Sequence, residues 1–525
     1  MPLIRCMGGS SGTGSIINIT TGDDGLFGQT VTLSDGNTTL TSQFSNAGHC
    51  TFKNVTMIGT LTIASSVGGV AVTDTISVPY YGTIDVNFGR DMKTIEISTD
   101  EASLIGKTAT LTYNTSDTKT ATIDANGEAT IVLYGYTGAA TISATDGVDT
   151  ATSNITITSG VDTYNVDLSF SKIYGVQWDG SSSSAMTRTD AAANFVDPVP
   201  QMKSGSNWTV GSSPFDNILP WSGMEIVDDA TVGKLVKIPK YYYKWTKSGS
   251  TMKLQISEKE FDGSHVSPAH ADRGDGSGER DYVYVGRYHC AASTYKSTSG
   301  VKPAASATRS AFRTSIHNLG SKYWQFDFAM FWTIRMLYLV EFADWNAQKK
   351  IGYGCGDNSA TSNMGYTDSM PYHTGTTQTS RTTYGFGTQY RYIEGLWDNV
   401  LDWCDGVYFA GTSNADIYVI NNPANFSDSS GGTKTGTRPT SSGCIKAWGI
   451  PSASGLEWAL YPSEVVTDDN YATYICDRCY YYSSNVVLYV GGYYYQSPNY
   501  GAFYLYSYSA SSSFAGIGSR LQKLP

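Results

Sequence analysis

The stretch INITTGDDGLFGQTVTLSDGNTTL, Ile17–Leu40, returns later in the chain as IEISTDEASLIGKTATLTYNTSDT, Ile95–Thr118. A second pair follows in the same order. GTLTIASSVGGVAVTDTISV from Gly59 lines up with GAATISATDGVDTATSNITI from Gly138. Gly28 answers Gly106 and Gly48 answers Gly127, so the second copy carries one inserted residue. Repetition on this scale marks one structural unit used twice. Within each copy, short alternating runs such as Val31–Leu33 and Thr60–Ile63 stop at Gly, Asn and Asp turns. About 80 residues of that kind make one small β-sandwich. The sequence therefore predicts two all-β sandwiches, at 1–81 and 82–160, and a different third domain over 161–525.

The 525 residues leave ample length for a sizeable core. Charged residues are 15%, aromatics 13%, and Gly stands at 55 against 16 Pro, a balance of short strands and turns. A net charge of −11 and a pI near 5.0 argue against nucleic acid as a main partner. The eight Cys are scattered singly apart from Cys476 and Cys479, which reads as thiols mostly free and buried. The opening MPLIRCMGGSSGTGS has no apolar run of a secretory signal. Phe328–Phe342, FAMFWTIRMLYLVEF, is too short for a membrane span and carries Arg335 and Glu341. It predicts a buried amphipathic helix, and no membrane insertion.

From about Val161 the composition turns to Trp, Tyr and Pro. Helical spacing predicts one helix over Ala304–Leu319, closed by Gly320, and another from Phe328 to about Gln348. YYYKWTKSGSTMKLQIS from Tyr241 predicts a hairpin around Ser248-Gly249-Ser250. With no further helix expected beyond Gly352, the third domain reads as α+β.

Several stretches suggest chemistry and do not sustain it. DRGDGSGERD, Asp272–Asp281, places Arg280 where a calcium loop starting at Asp275 needs Gly, so it reads as a polar surface loop. Its Arg273-Gly274-Asp275 is too short to count as a recognition motif. GYGCGDNS from Gly352 is glycine-rich but lacks the strand-to-helix setting of a phosphate cradle. The six histidines show no metal spacing, and Cys476-x-x-Cys479 has no second pair to complete a zinc site. No cofactor is expected.

The end of the chain is of another kind. Cys479–Phe514, CYYYSSNVVLYVGGYYYQSPNYGAFYLYSYSASSSF, is crowded with Tyr and Ser. In FYLYSYS, Tyr504, Tyr506 and Tyr508 share one face of a strand, and Phe503 and Leu505 the other. The aliphatic face is expected to be buried and the tyrosine face exposed, and exposed aromatic patches mark binding sites. Tyr offers large rigid contact area and Ser adaptable hydrogen bonding, the pairing of antibody paratopes.

Two further motifs frame this stretch. EGLWDNVLDWCDGVYF, Glu394–Phe409, resembles the G-x-V-W-E-W signature of the C-type lectin fold as found in formylglycine-generating sulfatase modifiers, with Asn399-Val400-Leu401-Asp402-Trp403 in that position. GIGSRL, Gly516–Leu521, resembles the family's terminal G-F-R strand, with Ser519 in place of the aromatic. Gly491-Gly492 stands before a variable stretch, as is characteristic of the family, and SPFDNILPWSGM and FADWNAQKKIGYGCGDNSATS also look like phage-encoded members. The likeness covers 161–525 and points to the variable proteins of diversity-generating retroelements, such as phage tropism determinants. The two N-terminal repeats resemble bacterial immunoglobulin-like modules, which act as spacers.

The resemblance implies two immunoglobulin-like sandwiches followed by an α+β C-type lectin-fold domain, with a hypervariable region at about 471–515. Such retroelements randomise template adenines, so an Asn codon yields Tyr, Ser, Asp, His, Ile, Val, Phe, Ala or Gly, but never Lys, Glu, Gln, Met or Trp. Cys479–Phe514 holds no Lys, Glu, Met or Trp and a single Gln. The implied ligand-binding residues are Tyr480, Tyr481, Tyr482, Tyr493, Tyr494, Tyr495, Ser497, Asn499, Tyr500, Tyr504, Tyr506, Tyr508, Ser511, Ser513 and Phe514. The implied partners are a bacterial host cell-surface protein or glycan and other phage tail components, with a homotrimer left open. The implied place is the virion tail, reached without a secretory signal and released by lysis. Two rivals stand beside this reading. One is an oxidase similar to the formylglycine-generating enzymes, with Cys476 and Cys479 as its only candidate pair, closer together than the family's. The other is a calcium-dependent lectin, in which Trp397-Asp398-Asn399 has the composition of the W-N-D motif in another order.

Overall fold

The computed structural model describes residues 14–525 except 79–81, 148–149, 171, 355–359, 378–386, 468–473, 485 and 496–499. The chain divides into two compact units, Met1–Phe170 and Ser171–Pro525.

The repeat becomes two sandwiches within the first unit. In the first copy a four-stranded sheet, ordered Thr39–Gln43, Thr30–Ser34, Gly59–Val67, Val70–Val78, accompanies a three-stranded sheet of His49–Val55, Ser15–Thr20 and Thr83–Asn87. Strand alternation puts Val31, Leu33, Leu61 and Ile63 from one sheet and Ile17, Ile19, Phe52 and Val86 from the other into one core. The second copy repeats this with Asp117–Thr122, Thr108–Tyr113, Gly138–Thr145 and Thr150–Ile157 in one sheet, and Glu128–Tyr134, Met92–Ser98 and Thr163–Asp167 in the other. The matched glycines do the same work twice. Gly48 (φ +74°) and Gly127 (φ +81°) lie so close to the carbonyls of Thr21 and Thr99 that a Cβ would come within 2.2 and 2.3 Å. Only glycine fits there.

The module limits expected at 81 and 160 each fall one strand short. Thr83–Asn87 pairs in parallel with Ser15–Thr20, and Thr163–Asp167 with Met92–Ser98. Each sandwich is closed by a strand lying past the aligned runs, which end at Val78 and Ile157. These parallel closures also depart from an all-antiparallel sandwich.

The second unit is β-rich and built around one helix, with α1 over Arg309–His317, α2 over Phe328–Phe342 and α3 over Ala347–Lys350. All 15 residues of α2 are buried, so it is not amphipathic as expected but enclosed on every side. Its two charges are absorbed. Arg335 lies 3.9 Å over the Phe331 ring and donates from Nε to the Ala502 carbonyl at 2.9 Å. Glu341 pairs with Arg391 at 2.7 Å and accepts from the Tyr390 hydroxyl at 3.0 Å. The helix expected to reach Gln348 breaks at Ala343, which takes the left-handed conformation (φ 49°) and caps it. The other expected helix begins late because Ser306 sits at φ 58°, and Thr308 then caps the backbone N–H of Ala311 at 3.2 Å. The hairpin forms between Tyr242–Ser248 and Thr251–Ser257, with Gly249 at φ 60° in its two-residue turn.

The largest sheet runs Thr433–Thr437, Asp416–Val419, Leu401–Ala410, Val487–Val490, Leu505–Tyr508, Arg478–Tyr480, Gly443–Gly449, Tyr461–Val466. The last strand of the chain, Leu521–Lys523, closes another sheet between Tyr282–Gly286 and Tyr323–Gln325.

Candidate functional site: a tyrosine surface on the central sheet

The three short strands of the tyrosine-rich stretch, Arg478–Tyr480, Val487–Val490 and Leu505–Tyr508, lie side by side in the interior of the largest sheet. Leu401–Ala410 flanks them on one side and Gly443–Gly449 on the other. Strand parity then sorts the side chains. Leu505 and Ser507 are buried, while Tyr506 and Tyr508 are half-buried on the other face.

On that face the rings form a continuous network. It starts at the fully buried Trp403, whose ring centroid lies 5.6 Å from that of Tyr489. Tyr506 is stacked between Tyr489 and Tyr480, 4.8 Å from each. Tyr482 continues the stack at 6.0 Å and is 50% exposed. A second branch joins Tyr508 to Phe514, Phe514 to Tyr493, and Tyr493 to Tyr494, Tyr495 and Tyr500. Tyr495 is 64% exposed. Offset and edge-on ring contacts of this kind each add about 0.5–1.5 kcal/mol beyond area burial. The surface is a stiff aromatic pavement with two rings standing clear of it.

The expected site residues are placed unevenly. Tyr480, Tyr481, Tyr493, Tyr494, Tyr500, Tyr506, Tyr508 and Phe514 are half-buried, and Tyr482, Tyr495, Ser511 and Ser513 are exposed. Tyr504 is buried at 2% exposure, against the expectation of an open face, because the ring packs on Tyr480 and Tyr500 beneath the surface. Ser497 and Asn499 lie outside the described residues. Tyr489, absent from the expected set, forms the floor.

The floor is fixed from below, chiefly by Asp477, which sequence reasoning missed. Asp477 is fully buried, and its two carboxylate oxygens accept from the backbone N–H of Gly501 and of Phe503, each at 2.8 Å. Arg335 takes the carbonyl between them. Burial pushes the Asp477 carboxyl up to about 6, against the pull of those N–H groups. Gly491 (φ +75°) turns the chain where a Cβ would come within 2.5 Å of the Leu396 carbonyl.

The two motifs that frame the stretch meet in space. Ile517–Gly518 pairs in parallel with Leu401–Asp402. Ser519 donates its hydroxyl to the Trp403 carbonyl at 3.2 Å. Arg520 gives N–H bonds to the carbonyls of Gly286, Arg287 and Glu394 and lies 3.5 Å from Asp402, which also faces His289 Nδ1 at 3.0 Å.

Elsewhere the polar candidates serve structure. Asp398 accepts from Thr388 and from the Tyr366 hydroxyl, and Asn399 Oδ1 accepts from the Ser362 N–H, so protein groups occupy both. The Asp272–Asp281 loop is pinned rather than free. Arg273 is buried on Asp327 at 2.7 Å and is unavailable to a partner. Part of GYGCGDNS lies outside the described residues. Cys476 and Cys479 are free and buried, and burial raises the Cys479 thiol to about 11. Among the described residues no group of three or more His, Cys, Asp or Glu is placed to hold a metal ion. No helix among them is long and apolar enough to cross a membrane.

No family model matches the chain, and no curated protein does. Among solved structures it is similar to the Bacillus anthracis TIE protein, at 11% identity and TM-score 0.14, covering 34% of this chain and 42% of that one. It is similar also to GBS52, the minor pilin of Streptococcus agalactiae, at 11% identity and TM-score 0.15, over 29% of this chain and 95% of that one. Invasin, a bacterial integrin-binding protein, gives 9% identity and TM-score 0.11 over 75% and 96%. The chain thus spans less than half of the TIE chain. Likenesses at these scores carry no argument about function.

Proposed function

We propose that this chain is a tropism-determining receptor-binding protein of a phage tail, a variable protein of a diversity-generating retroelement. In this reading a C-type lectin-fold domain presents a Tyr- and Ser-rich face to a bacterial cell-surface protein or glycan. The two N-terminal sandwiches are immunoglobulin-like spacers that join it to other tail components. One observation carries the reading. Within a single 36-residue stretch, Cys479–Phe514, the rings of Tyr480, Tyr482, Tyr493, Tyr495, Tyr506, Tyr508 and Phe514 share one network across three strands and the loops between them. Binding energy concentrates in such aromatics, each worth about 2 kcal/mol or more on truncation. The meeting of Asn399–Trp403 with Gly516–Leu521 supports the C-type lectin resemblance, since both motifs build one buried junction. The reading assigns no catalytic role to Cys476 or Cys479, both of which are buried.

The test is genetic and biochemical together. Resequencing the 3′ end of the gene across a phage population should find substitutions at adenines within 471–515, beside a reverse transcriptase gene and a near-copy of that end. The purified chain should block adsorption of its phage, and the Tyr482→Ser, Tyr495→Ser double variant should not. A uniform spread of substitutions, or full blocking by the double variant, would sink the proposal.

A further inference from the structure

A hollow of about 330 Å³ opens beside Tyr474, the first described residue of the variable region. It lies between the hairpin turn at Gly249-Ser250 and the strands Gly443–Gly449 and Tyr461–Val466. Tyr474 is held in the left-handed conformation at φ 59°. Its N–H donates to the Ser181 carbonyl at 2.8 Å, and its own carbonyl accepts from Ser183 Oγ at 3.0 Å. A non-glycine residue held there is strained, and such strain gathers at binding sites.

The charge around this ring is out of keeping with the molecule. The chain carries −11 overall, yet among the described residues the hollow is lined by two ammonium groups and one carboxylate. Lys446 Nζ lies 2.8 Å from Glu464 and 5.9 Å from the centre of the Tyr474 ring. Lys247 Nζ donates to the carbonyl of Trp448 at 2.6 Å, and the Lys446 ammonium, helped by the Lys247 charge, holds the Glu464 carboxyl below its ordinary value. Ser250 and Ser463 add hydroxyls to the wall. Each ammonium offers three N–H donors. The volume sits at the small end of ligand pockets, enough for one sugar ring.

We infer that this hollow is a second binding site, for a sugar bearing a carboxylate. The carboxylate meets Lys247 and Lys446, the apolar face of the ring covers Tyr474, and hydroxyls reach Ser250, Ser463 and Glu464. The site is separate from the tyrosine surface and does not depend on what that surface binds.

Saturation-transfer NMR and calorimetry on the full chain, with sodium glucuronate and with glucose as probes, test this. Glucuronate should bind with a Kd of about 1 mM and glucose about tenfold more weakly. Tyr474→Gly removes the ring while favouring the same backbone conformation, and Lys247→Met removes one of the two ammonium groups. Each should weaken glucuronate about tenfold or more. The Tyr482→Ser, Tyr495→Ser protein should bind it unchanged. No glucuronate binding, equal binding of glucose, or unchanged binding by both single variants overturns the inference. Loss of glucuronate binding in the Tyr482→Ser, Tyr495→Ser protein would overturn the separateness of the two sites.

Discussion

Tyr482 and Tyr506 differ in exposure although their rings neighbour each other, and that difference sets what each substitution does. Tyr482 and Tyr495 are largely exposed and pack on Tyr506 and Tyr493 only from outside, so replacing both with Ser should cost no more than about 1 kcal/mol each. Tyr506 lies stacked between Tyr480 and Tyr489. Tyr506→Ala should cost about 2 kcal/mol or more, from two stacked pairs and partial burial. Denaturant midpoints of the two proteins check the contrast, and equal losses would show that the stack carries no energy. Asp477 adds a pH dependence. Its folded carboxyl titrates at about 6 against an ordinary value of 3.8, so the folded state binds the proton more tightly than the unfolded state. Stability from this group is therefore full below about pH 4 and falls, by on the order of 3 kcal/mol, as pH rises through about 6. Asp477→Asn cannot titrate and should flatten that part of the pH profile. A wild-type profile and a variant profile of the same slope across pH 4–7 would rule this out.

At the scale of elements, what the sequence made legible is local. The hairpin at Gly249, the buried run Phe328–Phe342 and the alternation within the repeats each follow from residues a few positions apart. The Tyr506/Tyr508 face followed from strand parity. What stayed hidden depends on distant partners. Tyr504 keeps the same parity but is buried just before the strand begins at Leu505, and Asp477 takes its partners 24 and 26 positions away. A signal for Asp477 was present, since it is the only carboxylate between 471 and 515. The closing strands of the sandwiches were missed because parallel pairing with Ser15–Thr20 and Met92–Ser98 leaves no hairpin turn to mark them. Trp403 joins the readable and the hidden parts. It was singled out by its motif, and it is buried with its Nε1 donating to the Ala307 carbonyl at 3.0 Å. Trp403→Ala should cost about 3–5 kcal/mol, measured by chemical denaturation. A variant of unchanged stability would remove this ring from the core.

For the whole molecule, the division into units decides where the chain can be cut. A cut after Gly160 removes Thr163–Asp167, and with it Val166 and Leu168 from the core of the second sandwich. It also leaves Met92–Ser98 with its parallel partner missing. A fragment ending at Gly160 should therefore lose cooperative unfolding of that sandwich, while one ending at Phe170 keeps it. The complementary fragment, Ser171–Pro525, holds the largest sheet, α2 and the whole tyrosine network. None of the rings in that network comes from the first unit. The fragment should fold alone and compete with phage adsorption at a concentration within about threefold of the full chain, a difference of less than 1 kcal/mol. Circular dichroism and a competition assay on the same preparation measure both properties. A folded Ser171–Pro525 fragment that fails to compete would move the binding site into the repeated sandwiches and leave the tyrosine surface without a ligand.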